Sequence, residues 1–161
     1  MEIFILNSRF EGVNVLDSYE SLLWVDRYWS WGEFEVVTPM KPDLVDTIKL
    51  DNYAQIAESD RTMIIEKIQV VTDVVEGSKM KISGRSIESI LDRRIIWGLL
   101  YLNDLSLQNG VKRILDKCII DPTNPIRQIQ NFVFKYSTDP LVNSFHVNTQ
   151  YTGNYVYEVI K

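Results

Sequence analysis

The 161-residue chain holds one cysteine, Cys118, and one histidine, His146. A single cysteine excludes an intrachain disulfide, and one Cys with one His falls short of the three or more ligands a zinc site needs. The seven glycines are isolated, at 12, 32, 77, 84, 98, 110 and 153. The chain therefore has neither G-x-x-x-x-G-K-[ST] nor G-x-G-x-x-G to cradle a phosphate. Its apolar runs are only a few residues long, far short of the ~20 that span a bilayer, and no membrane insertion is expected. The apolar start stops at Leu6 and carries Glu2 where a signal peptide needs positive charge, so synthesis in the cytosol is expected. Basic residues are outnumbered, 17 Lys and Arg against 22 Asp and Glu, for a net charge of −5. That balance argues against a dedicated binder of nucleic acid or anionic membrane, which would carry a basic patch or stripe.

Catalytic chemistry is equally sparse. His146 sits between Phe145 and Val147 in an expected strand, a structural setting. Cys118 falls on the apolar stripe of a helix and reads as a small buried hydrophobe. Asp43 with Asp46, and Glu58 with Asp60, are close in sequence, but an acid–base pair also needs a cleft and a set separation. No catalytic residue, metal ligand or cofactor is assigned, and the chain is not read as an enzyme.

Aromatic residues are what the chain has in quantity. Tyr19–Pro39 contains Tyr19, Trp24, Tyr28, Trp29, Trp31 and Phe34 around Gly32, with three of the four tryptophans. Aromatic and β-branched residues suit a half-buried pleated surface. Two antiparallel strands are predicted, Ser21–Trp29 and Glu33–Thr38, with a tight turn at Ser30-Trp31-Gly32. Strand alternation puts Trp24 and Tyr28 on one face and Arg27, Trp29 and Trp31 on the other. A two-layer domain buries one face of each strand, so one aromatic set needs other cover. Trp, Tyr and Arg are the residues enriched at interface hot spots. Arg27, Trp29 and Trp31 are therefore the candidate protein-contact residues, with ordinary burial as the other reading. Exposed rings stacking on sugars would instead make a glycan-binding module for host adhesion; that alternative requires coplanar, solvent-facing rings.

The first half otherwise reads as β: Glu2–Leu6 pairing with Val13–Leu16, a turn or one helical turn at Lys41–Val45 with Pro42 suited to a first helical position, a strand at Asn52–Ile56, and a hairpin of Thr62–Val75 with Lys79–Ser83 turning at Glu76-Gly77-Ser78. In the long strand Ile64, Ile68 and Val70 fall on one face and Met63, Ile65 and Val71 on the other. Such a strand is either central or runs past its own sheet to be covered by a partner. Ser86–Arg93 reads as a short helix capped by Ser86. Ser106 starts a second helix whose stripe is Val111, Ile114, Leu115, Cys118 and Ile119, stopped at Asp121-Pro122. Phe132–Tyr136 and Ser144–Asn148 are predicted strands, and Asn154 opens a last short helix. That helix is marginal alone, and the chain is expected to be a fragment or to continue.

Three blocks, in order, resemble a known family. The first is L-x-W-x-x-R-Y-x-x-x-G-x-F-E-x-x-x-P, here Leu22, Trp24, Arg27, Tyr28, Gly32, Phe34, Glu35 and Pro39. The second is S-G-R-S-I-E-S-I-L-D-R-R-I-I from Ser83 to Ile96. The third is the helix near 107–120 with Gln150-Tyr151-Thr152-Gly153-Asn154. Together they resemble the N-terminal hub region of the tail-associated, Tal-like tail-tip and baseplate hub proteins of long-tailed bacteriophages. The resemblance implies an α+β, mainly β chain. A β-barrel-like hub domain would fill residues 1–100, and an incomplete helix-containing domain 101–161. It further implies a homotrimeric ring in the virion tail tip, made in the host cytoplasm. That ring would join the tail tube to distal and receptor-binding parts, with DNA only as passing cargo.

Overall fold

The computed structural model describes residues 1–73 and 77–161. The architecture is α+β and mainly β, in two compact units, Met1–Ser89 and Ile90–Lys161.

In the first unit β1 (Ile3–Leu6), β2 (Gly12–Leu16), β3 (Ser21–Val25), β4 (Glu33–Pro39), β5 (Tyr53–Ile56), β6 (Met63–Asp73) and β7 (Gly77–Ser86) form one antiparallel sheet in the order β2-β1-β5-β6-β7-β4-β3. Strands β2 and β3 are its two edges, so the sheet is open rather than closed into a barrel. Alternation sorts the side chains. Ile3 and Ile5 of β1, Leu16 of β2, Phe34 and Val36 of β4, Ala54 and Ile56 of β5, and Met80 and Ile82 of β7 all face one buried core. Helix α1 (Pro42–Thr47) starts on Pro42 and adds Leu44, with Ile48 just past its end. Burying each large side chain contributes roughly 1.5–3 kcal/mol, so this face dominates the unit's stability.

Three expectations are corrected here. Strand β3 ends at Val25, four residues before Trp29, and the link to β4 is a seven-residue loop rather than a tight turn. Strand β6 carries a bulge: Ile65 pairs with Gly84 and Lys67 with Ser83, leaving Glu66 as the extra residue. The bulge reverses parity, so Ile68 joins the core face of Met63 and Ile65, while Ile64 is buried on the other face. Ser86 does not cap a helix; it is the last residue of β7, and a 3₁₀ helix runs from Ile87 to Arg93. Of the expected hairpin, Val74, Val75 and Glu76 lie outside the described residues.

Strand β6 meets β5 only through Ile64 and Met63, opposite Tyr53 and Ala54. Beyond the bulge, among the described residues, Lys67–Asp73 have β7 as their sole strand neighbour, and Val70 and Val71 are exposed.

In the second unit β8 (Leu100–Ser106) pairs antiparallel with β9 (His146–Tyr151). Helix α2 (Leu107–Leu115) continues as a π-helical segment, Asp116–Ile120. The stripe of α2 behaves as its periodicity predicts: Ile114, Leu115, Cys118 and Ile119 are buried with Ile96, Leu100, Leu102 and Val156, and Val111 packs at the margin. Gly110 has a packing reason, since a Cβ there would lie 2.7 Å from Val147 Cγ2. Phe132–Tyr136 forms no strand; it is irregular, with Phe132 and Phe134 packed on this core. Helix α3 (Pro140–Ser144) precedes β9, and α4 (Val156–Ile160) closes the unit.

Candidate functional site

Loop 26–32 between β3 and β4 holds the three residues singled out from the sequence. Its shape is set by distant partners rather than by turn chemistry. Asp26 accepts a hydrogen bond from the Ser59 hydroxyl at 2.8 Å, and Arg61 donates to the Arg27 carbonyl at 2.8 Å while pairing with Glu88. At the far end the Gly32 N–H donates to Ser86 Oγ at 2.8 Å, and the Ser86 N–H returns to the Gly32 carbonyl at 3.0 Å. Glycine is required there, because a Cβ at position 32 would lie 2.5 Å from the Val25 carbonyl oxygen.

The structure gives the three residues different surroundings. Arg27 braces the loop: its guanidinium pairs with Glu33 at 2.9 Å and donates to the Trp31 carbonyl at 3.3 Å. The shared hydrogen bond holds Glu33 below the usual carboxylate range and raises Arg27 above its own. Trp31 is half-buried, with the Arg85 guanidinium 4.8 Å from its ring centroid, a cation–π contact. Trp29 is 74% exposed and stands edge-on to Tyr28, itself 84% exposed, at 4.7 Å and 87°. The pair is perpendicular, not the coplanar platform that sugar stacking requires. Trp24 leaves this group altogether: it packs on the core side against Phe34.

Two contributors went unrecognised in the sequence. Arg85 of β7 and Glu66 of the bulge form a bidentate pair at 2.7 and 2.9 Å. They lie on the outer face of the sheet, where Leu23, Glu33, Glu35, Lys67 and Ser83 line the same shallow depression of about 410 Å³. A fork-to-carboxylate pair of this kind adds geometric definition as well as energy. The bulge aims Glu66 at Arg85, and Arg85 in turn holds Trp31. One signal was available: Glu66 and Lys67 are adjacent charges inside the otherwise apolar stretch Met63–Ile68, where an unbulged two-faced strand would bury one of them. Chemically the site is a braced, aromatic protrusion beside a charged depression. His146 lies elsewhere, exposed, with Nδ1 3.1 Å from Asp104 Oδ1. Among the described residues no group of three or more His, Cys, Asp or Glu side chains is placed to hold a metal.

Comparison with known proteins bears on the whole chain. The family described as Siphovirus ReqiPepy6 Gp37-like protein matches residues 2–159. The chain belongs to that family. Among solved structures the fold is similar to the prophage tail protein gp18 from Listeria monocytogenes EGD-e, with a TM-score of 0.56 and 10% sequence identity. That similarity covers 78% of this chain but 38% of the Listeria chain, so this sequence spans well under half of that protein. No curated protein matches.

Proposed function

We propose that the chain is a structural, non-enzymatic component of a bacteriophage or prophage tail. It would act as a hub at the tail tip, assembling as a homotrimeric ring that joins the tail tube to distal and receptor-binding parts. The observation that carries the reading is the fold shared with a prophage tail protein over 78% of the chain, in a member of a siphovirus family. The Tal-like pattern in the sequence supplies the ring. Trp29 with Tyr28 is the contact surface between copies, braced by Arg27 and by Trp31 on Arg85. Large aromatic rings held rigidly in solvent are what a contact between subunits desolvates. The charge also suits a conduit for DNA: the first unit has nine Lys and Arg against sixteen Asp and Glu, a net charge of −7, which would not retain a phosphate backbone.

Light scattering across a dilution series tests this directly. The expected result is a species of three times the 18.8 kDa chain mass that persists on dilution. A monomer at every concentration would refute self-assembly by this chain.

A further inference from the structure

The second unit has the opposite charge balance, eight Lys and Arg against six Asp and Glu, and three of its arginines meet around one depression. Arg93, Arg94, Ile95 and Trp97 from the segment before β8, with Asn124 and Arg127 from the turn after α2, line a hollow of about 360 Å³. Two of the guanidiniums are fixed by backbone carbonyls. Arg94 donates to the carbonyls of Arg127 and Arg93, both at 3.3 Å, and Arg127 donates to that of Ile95 at 2.6 Å. Among the described residues no carboxylate pairs with Arg94 or Arg127. Each guanidinium has five N–H donors, so donors remain on both. Burial first, and then the charges of Arg127 and Arg93, lower the proton affinity of Arg94. The rim is apolar: Trp97 is 71% exposed and Ile126, beside Arg127, 90%. Gly98, at φ +70°, makes the left-handed turn directly after Trp97.

We propose that this hollow docks an acidic segment of a protein partner, its carboxylates held by Arg94 and Arg127 and its chain covering Trp97. The proposal is independent of the ring reading. Carbonyl-anchored guanidiniums are oriented without being neutralised, and an incoming carboxylate supplies the missing charge with little reordering. The neighbouring tryptophan and isoleucine favour a protein over a phosphodiester chain, which would follow a row of cations. Among the described residues, Arg93, Arg94 and Arg127 are the cations that line the hollow, and three of the unit's lysines are engaged by other groups. Lys112 bonds Asp116, Lys117 donates to the Leu99 carbonyl at 2.8 Å, and Lys161 faces the Tyr157 ring.

The test is a titration of the full 161-residue chain, read by the arginine Nε–H and tryptophan indole N–H signals in ¹⁵N NMR. The probes are a capped tetraglutamate peptide, the matching tetraglutamine, and an oligothymidylate, all at one ionic strength. Tetraglutamate is expected to shift Arg94, Arg127 and Trp97 saturably, and tetraglutamine is not. R94Q/R127Q should weaken tetraglutamate binding by about tenfold or more, and W97A, at an exposed position that leaves the core intact, by about threefold. Because R94Q/R127Q removes bonds to the backbone, W97A keeps the test valid if that double variant misfolds. Saturable binding of oligothymidylate without tetraglutamate, equal binding by wild type and W97A, or no saturable shift at all would each overturn the proposal.

Discussion

Gly84→Ala is the most demanding perturbation of the first unit. A Cβ built on Gly84 lies 1.8 Å from the Ile64 carbonyl oxygen and 3.0 Å from the Glu66 nitrogen. Both are backbone atoms, so no rotamer change relieves the overlap. Restoring ordinary contact requires one strand to retreat by about 1.5 Å, enough to break the Ile65–Gly84 pairing and the bulge beside it. Two ladder hydrogen bonds at about 0.5–1.5 kcal/mol each would go. Ile64 and Ile65, both fully buried, would lose part of the roughly 1.5–3 kcal/mol that each contributes. The expected loss is about 3–5 kcal/mol, a large share of a domain's ~5–15 kcal/mol. Urea unfolding followed by tryptophan emission reads mainly this unit, because Trp24, Trp29 and Trp31 all lie in it. With a slope of about 1–3 kcal/mol per molar urea, the midpoint should fall by at least about 1 M. Gly12→Ala is the control: nothing lies within 4 Å of its Cβ, and its midpoint should stay near wild type. A Gly84→Ala midpoint within about 0.2 M of Gly12→Ala would refute the close-approach argument.

The remaining expectations are smaller in reach. Trp29→Ala should change unfolding free energy by less than about 0.5 kcal/mol, since the ring is exposed, yet lower the scattering mass if the ring surface is the contact. The Arg27–Glu33 brace should respond to acid. Glu33 titrates below its unfolded value, so its contribution is fully present above about pH 4.3 and is lost as pH falls through the lower folded value. Glu33→Gln should remove that part of the acid dependence of Trp emission. Burial raises the Cys118 thiol, so a thiol reagent at neutral pH should label it only at the rate at which the second unit opens. Labelling of native protein as fast as free cysteine would contradict the burial.

Several local signals in the sequence were read correctly. Apolar, β-branched and aromatic runs located β1, β2, β4 and β5, alternation located β7, Pro42 marked the turn that is α1, and the stripe from Val111 to Ile119 located α2 with its stop at Asp121-Pro122. Two misreadings are local, since Ser86 ends β7 rather than capping a helix and Ser144 ends α3 rather than opening a strand; the others have non-local causes. Strand β3 stops at Val25 because Asp26 and Arg27 are held by Ser59 and Arg61, more than thirty residues away. Phe132–Tyr136 has the composition of a strand but no ladder partner, and composition cannot report a missing neighbour. The bulge at Glu66 exchanged the faces of everything beyond it, a one-residue effect that strict alternation cannot contain. Arg85, Glu66 and the arginine hollow are assembled from separate segments, so their chemistry emerges only once the chain is folded.

The overhanging half of β6 has a practical consequence. Among the described residues, its edge from Lys67 to Asp73 has no strand on the side away from β7, next to two exposed valines. Such an edge is a template for further strands, and Lys67 is the one positive charge along it to discourage stacking. Concentrated protein should therefore aggregate through this strand before the sheet itself melts. Val70→Lys or Val71→Lys, placed where no core contact is lost, is the substitution to make when a soluble, monodisperse preparation is needed.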